Sequence, residues 1–171
     1  MKKILNYVLA GVLAVVLAAP LYSQPVTTTV STQSVTLTSA QIDALATTPV
    51  QIVAAPGTGK MLVPLSATFH YKFGTTPYTP AAQTQPVLGV VYGNTVPSYD
   101  VAFGGSQVGF LDQSVNRIMV GGEGTFFVGA AVVDDQTEIA NQGLYVSASG
   151  NPSGGDGTIV VIVSFITISI N

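Results

Sequence analysis

From Val50 onward the chain runs in short β-branched and aromatic stretches that glycine or proline interrupts every few residues. This punctuation constrains the fold more than any other feature, because 18 glycines and 10 prolines leave little room for long helices. Residues 61–73 show the clearest alternation. Leu65, Ala67, Phe69 and Tyr71 fall on one side, and Ser66, Thr68, His70 and Lys72 on the other, as in a strand buried on one face. Shorter strands are expected near residues 50–54, 87–92, 99–103, 108–111, 117–120, 125–133 and 144–148. The turn Pro56-Gly57-Thr58-Gly59 is predicted to join 50–54 to 61–73 as a hairpin. The last run, 158–170, is the longest. It is apolar on both faces over 159–163, as a central strand would be, and then alternates Ile166, Ile168 and Ile170 with Thr167 and Ser169. A single helix is expected, where Thr38 and Gln41 form a capping box and Ile42 and Leu45 give one apolar stripe. Thr47-Thr48-Pro49 closes it. Roughly nine short strands and one short helix predict an all-β fold, a single antiparallel β-sandwich that is jelly-roll-like.

Ahead of this lies a different kind of segment. Lys2 and Lys3 precede an apolar run from Val8 to Ala19, Pro20 breaks the run, and Leu21-Tyr22-Ser23 leads to Gln24. That is the layout of a cleaved secretory signal peptide, and the apolar run is shorter than the roughly 20 residues a membrane-spanning helix needs. The expected organisation is therefore residues 1–23 as signal peptide, 24–38 as an extended arm or edge strand, and 39–171 as the sandwich domain. The mature protein would be secreted or held at the cell surface, without stable membrane insertion. Within the arm Val26, Val30, Val35 and Leu37 are the apolar points of an uncharged, Thr-rich sequence. The arm is expected either to add as a strand to an open sheet edge of the next subunit, with the valines filling pockets there, or to pair within its own sandwich.

Charge then narrows the function. Without Lys2 and Lys3, only Lys60, Lys72 and Arg117 stand against eight carboxylates. Nucleic acid and anionic lipid both require clustered bases, so neither is an expected partner. Only 8% of residues are charged, against about 25% in ordinary soluble domains. Threonine, serine, glutamine and glycine must cover the surface, or neighbouring subunits must, which makes copies of the chain itself the expected partner. The chain has no cysteine, which removes disulfides, thiolate chemistry and Cys-ligated metals.

The candidate sites are sparse. Residues 54–60 have the outline of a phosphate-binding loop, but Ala54 stands at the first glycine position and Met61 at the hydroxyl position. A strand follows instead of a helix, so the segment reads as a turn. His70 is the only histidine, there is no Gly-x-Ser-x-Gly elbow, and no catalytic residue is assigned. Asp134, Asp135 and Glu138 are the candidate calcium ligands by oxygen type, though they lack the spacing of a Ca²⁺ loop. No other cofactor is implied. Tyr78, Tyr92 and Tyr99 are candidate ligand contacts, because a tyrosine ring offers an apolar face and a polar tip to a sugar. A carbohydrate-binding or adhesion module, with glycans as partners, is accordingly the alternative to a structural subunit.

Two stretches carry a resemblance. One is Val35-Thr36-Leu37-Thr38-Ser39-Ala40-Gln41-Ile42 with Pro49-Val50-Gln51-Ile52-Val53-Ala54-Ala55-Pro56-Gly57-Thr58-Gly59-Lys60. The other is Gly143-Leu144-Tyr145-Val146-Ser147-Ala148-Ser149-Gly150-Asn151-Pro152-Ser153-Gly154-Gly155-Asp156-Gly157-Thr158. Together they resemble small β-sandwich proteins found among bacteriophage structural and appendage proteins, here with a signal peptide added. The resemblance implies a non-catalytic, self-assembling subunit of a fibre, filament, tube or coat, and it carries over no catalytic residue.

Overall fold

The computed structural model describes residues 29–93, 101–123 and 139–170. The signal segment, Val26, Tyr99, the 125–133 strand and the candidate ligands Asp134, Asp135 and Glu138 lie outside these residues. Among the described residues, eight strands and one helical turn follow in the order β1 (Ser31–Leu37), α1 (Ser39–Ile42), β2 (Val50–Val53), β3 (Lys60–Lys72), β4 (Val87–Tyr92), β5 (Val101–Ser106), β6 (Arg117–Glu123), β7 (Leu144–Ala148) and β8 (Thr158–Ser169).

The pairing is nested. β1 pairs with β8, β2 with β7, β3 with β6 and β4 with β5, all antiparallel. The chain is thus one long hairpin rolled on itself. β3 then pairs with β8, and β4 with β7, closing two four-stranded sheets, β1-β8-β3-β6 and β2-β7-β4-β5. A short contact between β5 and β6 makes the order continuous. This is the connectivity of a jelly roll, an antiparallel β-sandwich.

The core lies between the sheets. Leu37 of β1, Phe69 and Tyr71 of β3, and Ile159, Val161 and Val163 of β8 face Leu88 and Val90 of β4, Phe103 of β5, and Leu144 and Val146 of β7. Each such side chain contributes on the order of 1.5–3 kcal/mol on burial. α1 adds Ile42, with Leu45 just after it. Thr38 Oγ1 accepts from the Gln41 N–H while the Gln41 side chain accepts from the Thr38 N–H, the predicted capping box.

Three expectations change. Residues 50–54 and 61–73 do not form a hairpin, because β2 belongs to one sheet and β3 to the other. The Gly57–Gly59 turn arches between the sheets, with Gly57 at φ +98° and Gly59 at φ +70°, and Asn141 Oδ1 accepts from the Gly57 N–H at 2.9 Å. Leu65 is exposed instead of sharing a face with Ala67 and Phe69. Pro64 has no N–H to give the ladder, and the β3–β8 register shifts between Pro64 and Ser66, leaving Leu65 as the extra residue of a bulge. Residues 108–111 are a turn rather than a strand. The Phe110 and Leu111 N–H groups both donate to Gln107 O, Gly109 sits at φ +81°, and Asp112 Oδ1 accepts from its N–H.

Candidate assembly surface

One end of the sandwich is built as a rigid block. The connections 38–49, 73–86, 107–116 and 149–157 meet there, and hydrogen bonds link them across long sequence separations. The Ala46 N–H donates to Asn151 Oδ1 at 2.7 Å, and the Tyr78 hydroxyl donates to Gly157 O at 2.7 Å. Gln107 is fully buried. Its carboxamide accepts from the Ala81 N–H and donates to Val87 O and Gly150 O, tying three segments together. Asp156 Oδ1 accepts from the Thr75 and Thr76 N–H groups at 2.8 Å each, and its Oδ2 accepts from the Thr75 hydroxyl at 2.6 Å. These bonds, the hydroxyl's first, hold its carboxyl down at about 2.

The same block accounts for the glycines of the second resembling stretch. A Cβ on Gly155 would enter the Tyr78 ring, and one on Gly157 would meet the Tyr71 ring at 2.5 Å. Tyr71 and Tyr78 pack with ring centroids 6.1 Å apart, and Tyr71 lies 5.9 Å from Phe110. Burial pushes both phenols up, with Asp43 adding to the effect at Tyr78 and Asp156 at Tyr71. Burial also raises Asp43.

This placement decides what the candidate tyrosines can do. Tyr78 is in the core and cannot present a ring face to a sugar. Tyr92 is half-buried, with its hydroxyl donating to Leu62 O at 3.0 Å, and Tyr99 lies outside the described residues. The arm residues separate too. Leu37 is fully buried in its own core and Val35 packs against that core, so both belong to the sandwich. Val30, just before β1, is 58% exposed.

The outer face of the β1-β8-β3-β6 sheet is the surface that sequence reading missed. Its rows run Thr36–Val160–His70–Ile118 and Ser34–Ile162–Thr68–Val120. Neither row holds a carboxylate, lysine or arginine. Ile118 and Val120 are 66% and 70% exposed, whereas a sheet face left in water normally carries polar residues. The apolar character of 159–163 carries half of this signal, but in the sequence alone it equally fits a central strand buried on both faces. Ile118 and Val120 could be found only once β6 was known to be the neighbour of β3.

At the β6 edge this face runs into a groove of about 490 Å³ between β5 and β6, lined by Gly105, Ser106, Val108, Phe110, Ile118 and Val120 among others. Among the described residues β5 and β6 pair only at Phe103–Glu123 and Gly104–Gly122, and toward residues 105–106 and 117–120 they diverge. Met119, pointing inward, lies against Gly105 and forms the floor, where a Cβ on Gly105 would collide with its sulfur. Arg117 is the one charged residue in the groove's lining, and its guanidinium donates to Gln113 Oε1 at 3.0 Å. The surface offers shape, apolar contact and main-chain edges.

No protein-family model matches the chain, and no curated protein sequence does. Among solved structures, the chain is similar to a chain of the capsid asymmetric unit of cyanophage Pam1, at 15% identity and a TM-score of 0.43 over 87% of this chain and 91% of that one. It is also similar to a chain of the capsid of Ralstonia phage GP4, at 13% identity and a TM-score of 0.37 over 86% and 89% of the two chains.

Proposed function

We propose that this chain is a non-catalytic structural subunit that is exported and assembles with copies of itself, as a fibre, filament, tube or coat. One observation carries the reading. The outer β1-β8-β3-β6 face exposes Ile118 and Val120, has no charged side chain in its two central rows, and continues into the groove beside β5. Exposed apolar surface of this kind, set among polar residues, marks an association site. The low overall charge and the resemblance to phage structural and appendage proteins point the same way. Export rests on the amino-terminal segment, and the form of the assembly on the resemblance.

Electron microscopy of the exported protein tests this reading directly, since regular repeating particles are expected. A glycan array run with and without calcium tests the carbohydrate-binding alternative. That alternative has lost Tyr78 to the core, and Tyr92 engages Leu62, so no glycan should be retained. Strong selective retention together with featureless micrographs would reverse the assignment.

A further inference from the structure

The outer sheet face is too small to hold two copies together by itself. Four strands about 4.8 Å apart and about five residues deep give an area on the order of 300 Å². A stable interface needs about 800 Å² per partner. The neighbouring groove supplies a different kind of contact. β5 is paired with β4 along Val87–Ser106 and Leu88–Gly105, and β6 with β3 from Ala67–Gly121 to Tyr71–Arg117. Among the described residues, the opposite edges of Gly105, Ser106 and residues 117–120 have no ladder with each other. Two main-chain edges therefore face one apolar groove, as a site for strand addition requires.

We infer that this groove accepts residues 24–30 of a second copy of the chain, which add as a strand along β6. The inference rests on the self-assembly reading above. Residues 24–30, Gln-Pro-Val-Thr-Thr-Thr-Val, carry no charge and are β-branched after Pro25, matching a groove without carboxylates. Extended, they span about 23 Å, against about 13 Å for the wall formed by 117–120. Val26, Thr28 and Val30 fall on one side of such a strand, and that side meets Ile118, Val120 and Val108.

The donor must be another copy. Ser31 begins β1, three strands away from β6, and lies five registers from Thr36, which is in line with Ile118 through Val160 and His70. The distance from Ser31 to Ile118 is therefore about 22 Å along the sheet. A chain's own arm would be spent in crossing it, with nothing left to lie in the groove.

The chain has no cysteine, so engineered pairs report cleanly. Full chains carrying Thr28→Cys are mixed with full chains carrying Ile118→Cys and oxidised, and mass spectrometry identifies the linked peptides. A 28–118 disulfide between copies is expected, with several-fold less linkage to a Thr36→Cys control at the far side of the same sheet. The wild-type mass in solution is measured in parallel. Multimers with no 28–118 bond, or with equal linkage to position 36, would overturn the arm assignment and leave self-assembly standing. A wild-type chain that is monomeric at every concentration would overturn both.

Discussion

Two tyrosines that touch each other have opposite balances of hydrogen bonding. The Tyr78 hydroxyl donates to Gly157 O, whereas the buried Tyr71 hydroxyl has no partner among the described residues. Removing a satisfied hydroxyl costs about 1 kcal/mol, and removing an unsatisfied one relieves a penalty of similar size. Tyr78→Phe should therefore lower stability by about 1 kcal/mol and Tyr71→Phe should raise it or leave it unchanged, as read by denaturant unfolding of each variant. Asp156 gives a pH signature. Its carboxyl is lowered from 3.8 to about 2 in the folded chain, so its contribution is complete above about pH 4 and is lost as pH falls through 2. Thermal melts between pH 5 and 2 should show this loss in the wild type and a flatter profile in Asp156→Ala. Equal slopes in the two proteins would show that the carboxylate does not anchor Thr75 and Thr76. None of these roles was legible in the sequence. Tyr78 sits in a Thr/Pro-rich loop that reads as surface, and only the fold brings Gly155 and Gly157 beneath the aromatic rings.

The elements themselves were far more legible than their partners. Val87–Tyr92, Leu144–Ala148 and the run beginning at Thr158 form strands where alternation and turn residues place them, because those signals are local. Strand pairing is not local, and the expected β2–β3 hairpin failed for that reason. A short Gly/Pro turn serves equally well as a hairpin or as an arch between sheets, and burial of Val53 and Leu62 in one core selected the arch. Within β3 the bulge at Pro64–Ser66 makes a sharp prediction. Leu62→Ala should cost about 2–5 kcal/mol because its side chain is buried. Leu65→Ala should change stability by less than about 0.5 kcal/mol. Comparable losses at the two positions would mean that Leu65 faces the core and that the register shift is misplaced. The strand expected at 108–111 became a turn through Gln107 and Asp112, whose hydrogen bonds outweigh the alternation of Val108 and Phe110.

At the scale of the whole molecule, β1 and β2 end the strand order of the described residues on one side. On the other side, among the same residues, β5 and β6 meet only at two residue pairs. The first side carries the segment that would be donated and the second the groove that would receive it. A donor and an acceptor on opposite sides make a heterologous contact, which propagates into a filament or closes into a ring. The sequence pointed to self-association through its low charge, but the surface that would carry it became visible only when Ile118 and Val120 were placed on the outer face. The most direct test is the solution mass of the exported wild-type chain beside Ile118→Lys and Val120→Lys, measured by light scattering over a range of concentrations. Both positions are exposed, so each variant should fold with the wild-type circular dichroism spectrum. The account predicts a multimeric wild type and a shift toward monomer of at least about tenfold in the dissociation constant for each lysine variant, since burying an unpaired charge costs well over 1.4 kcal/mol. A monomeric wild type, or lysine variants that assemble as the wild type does, would contradict it.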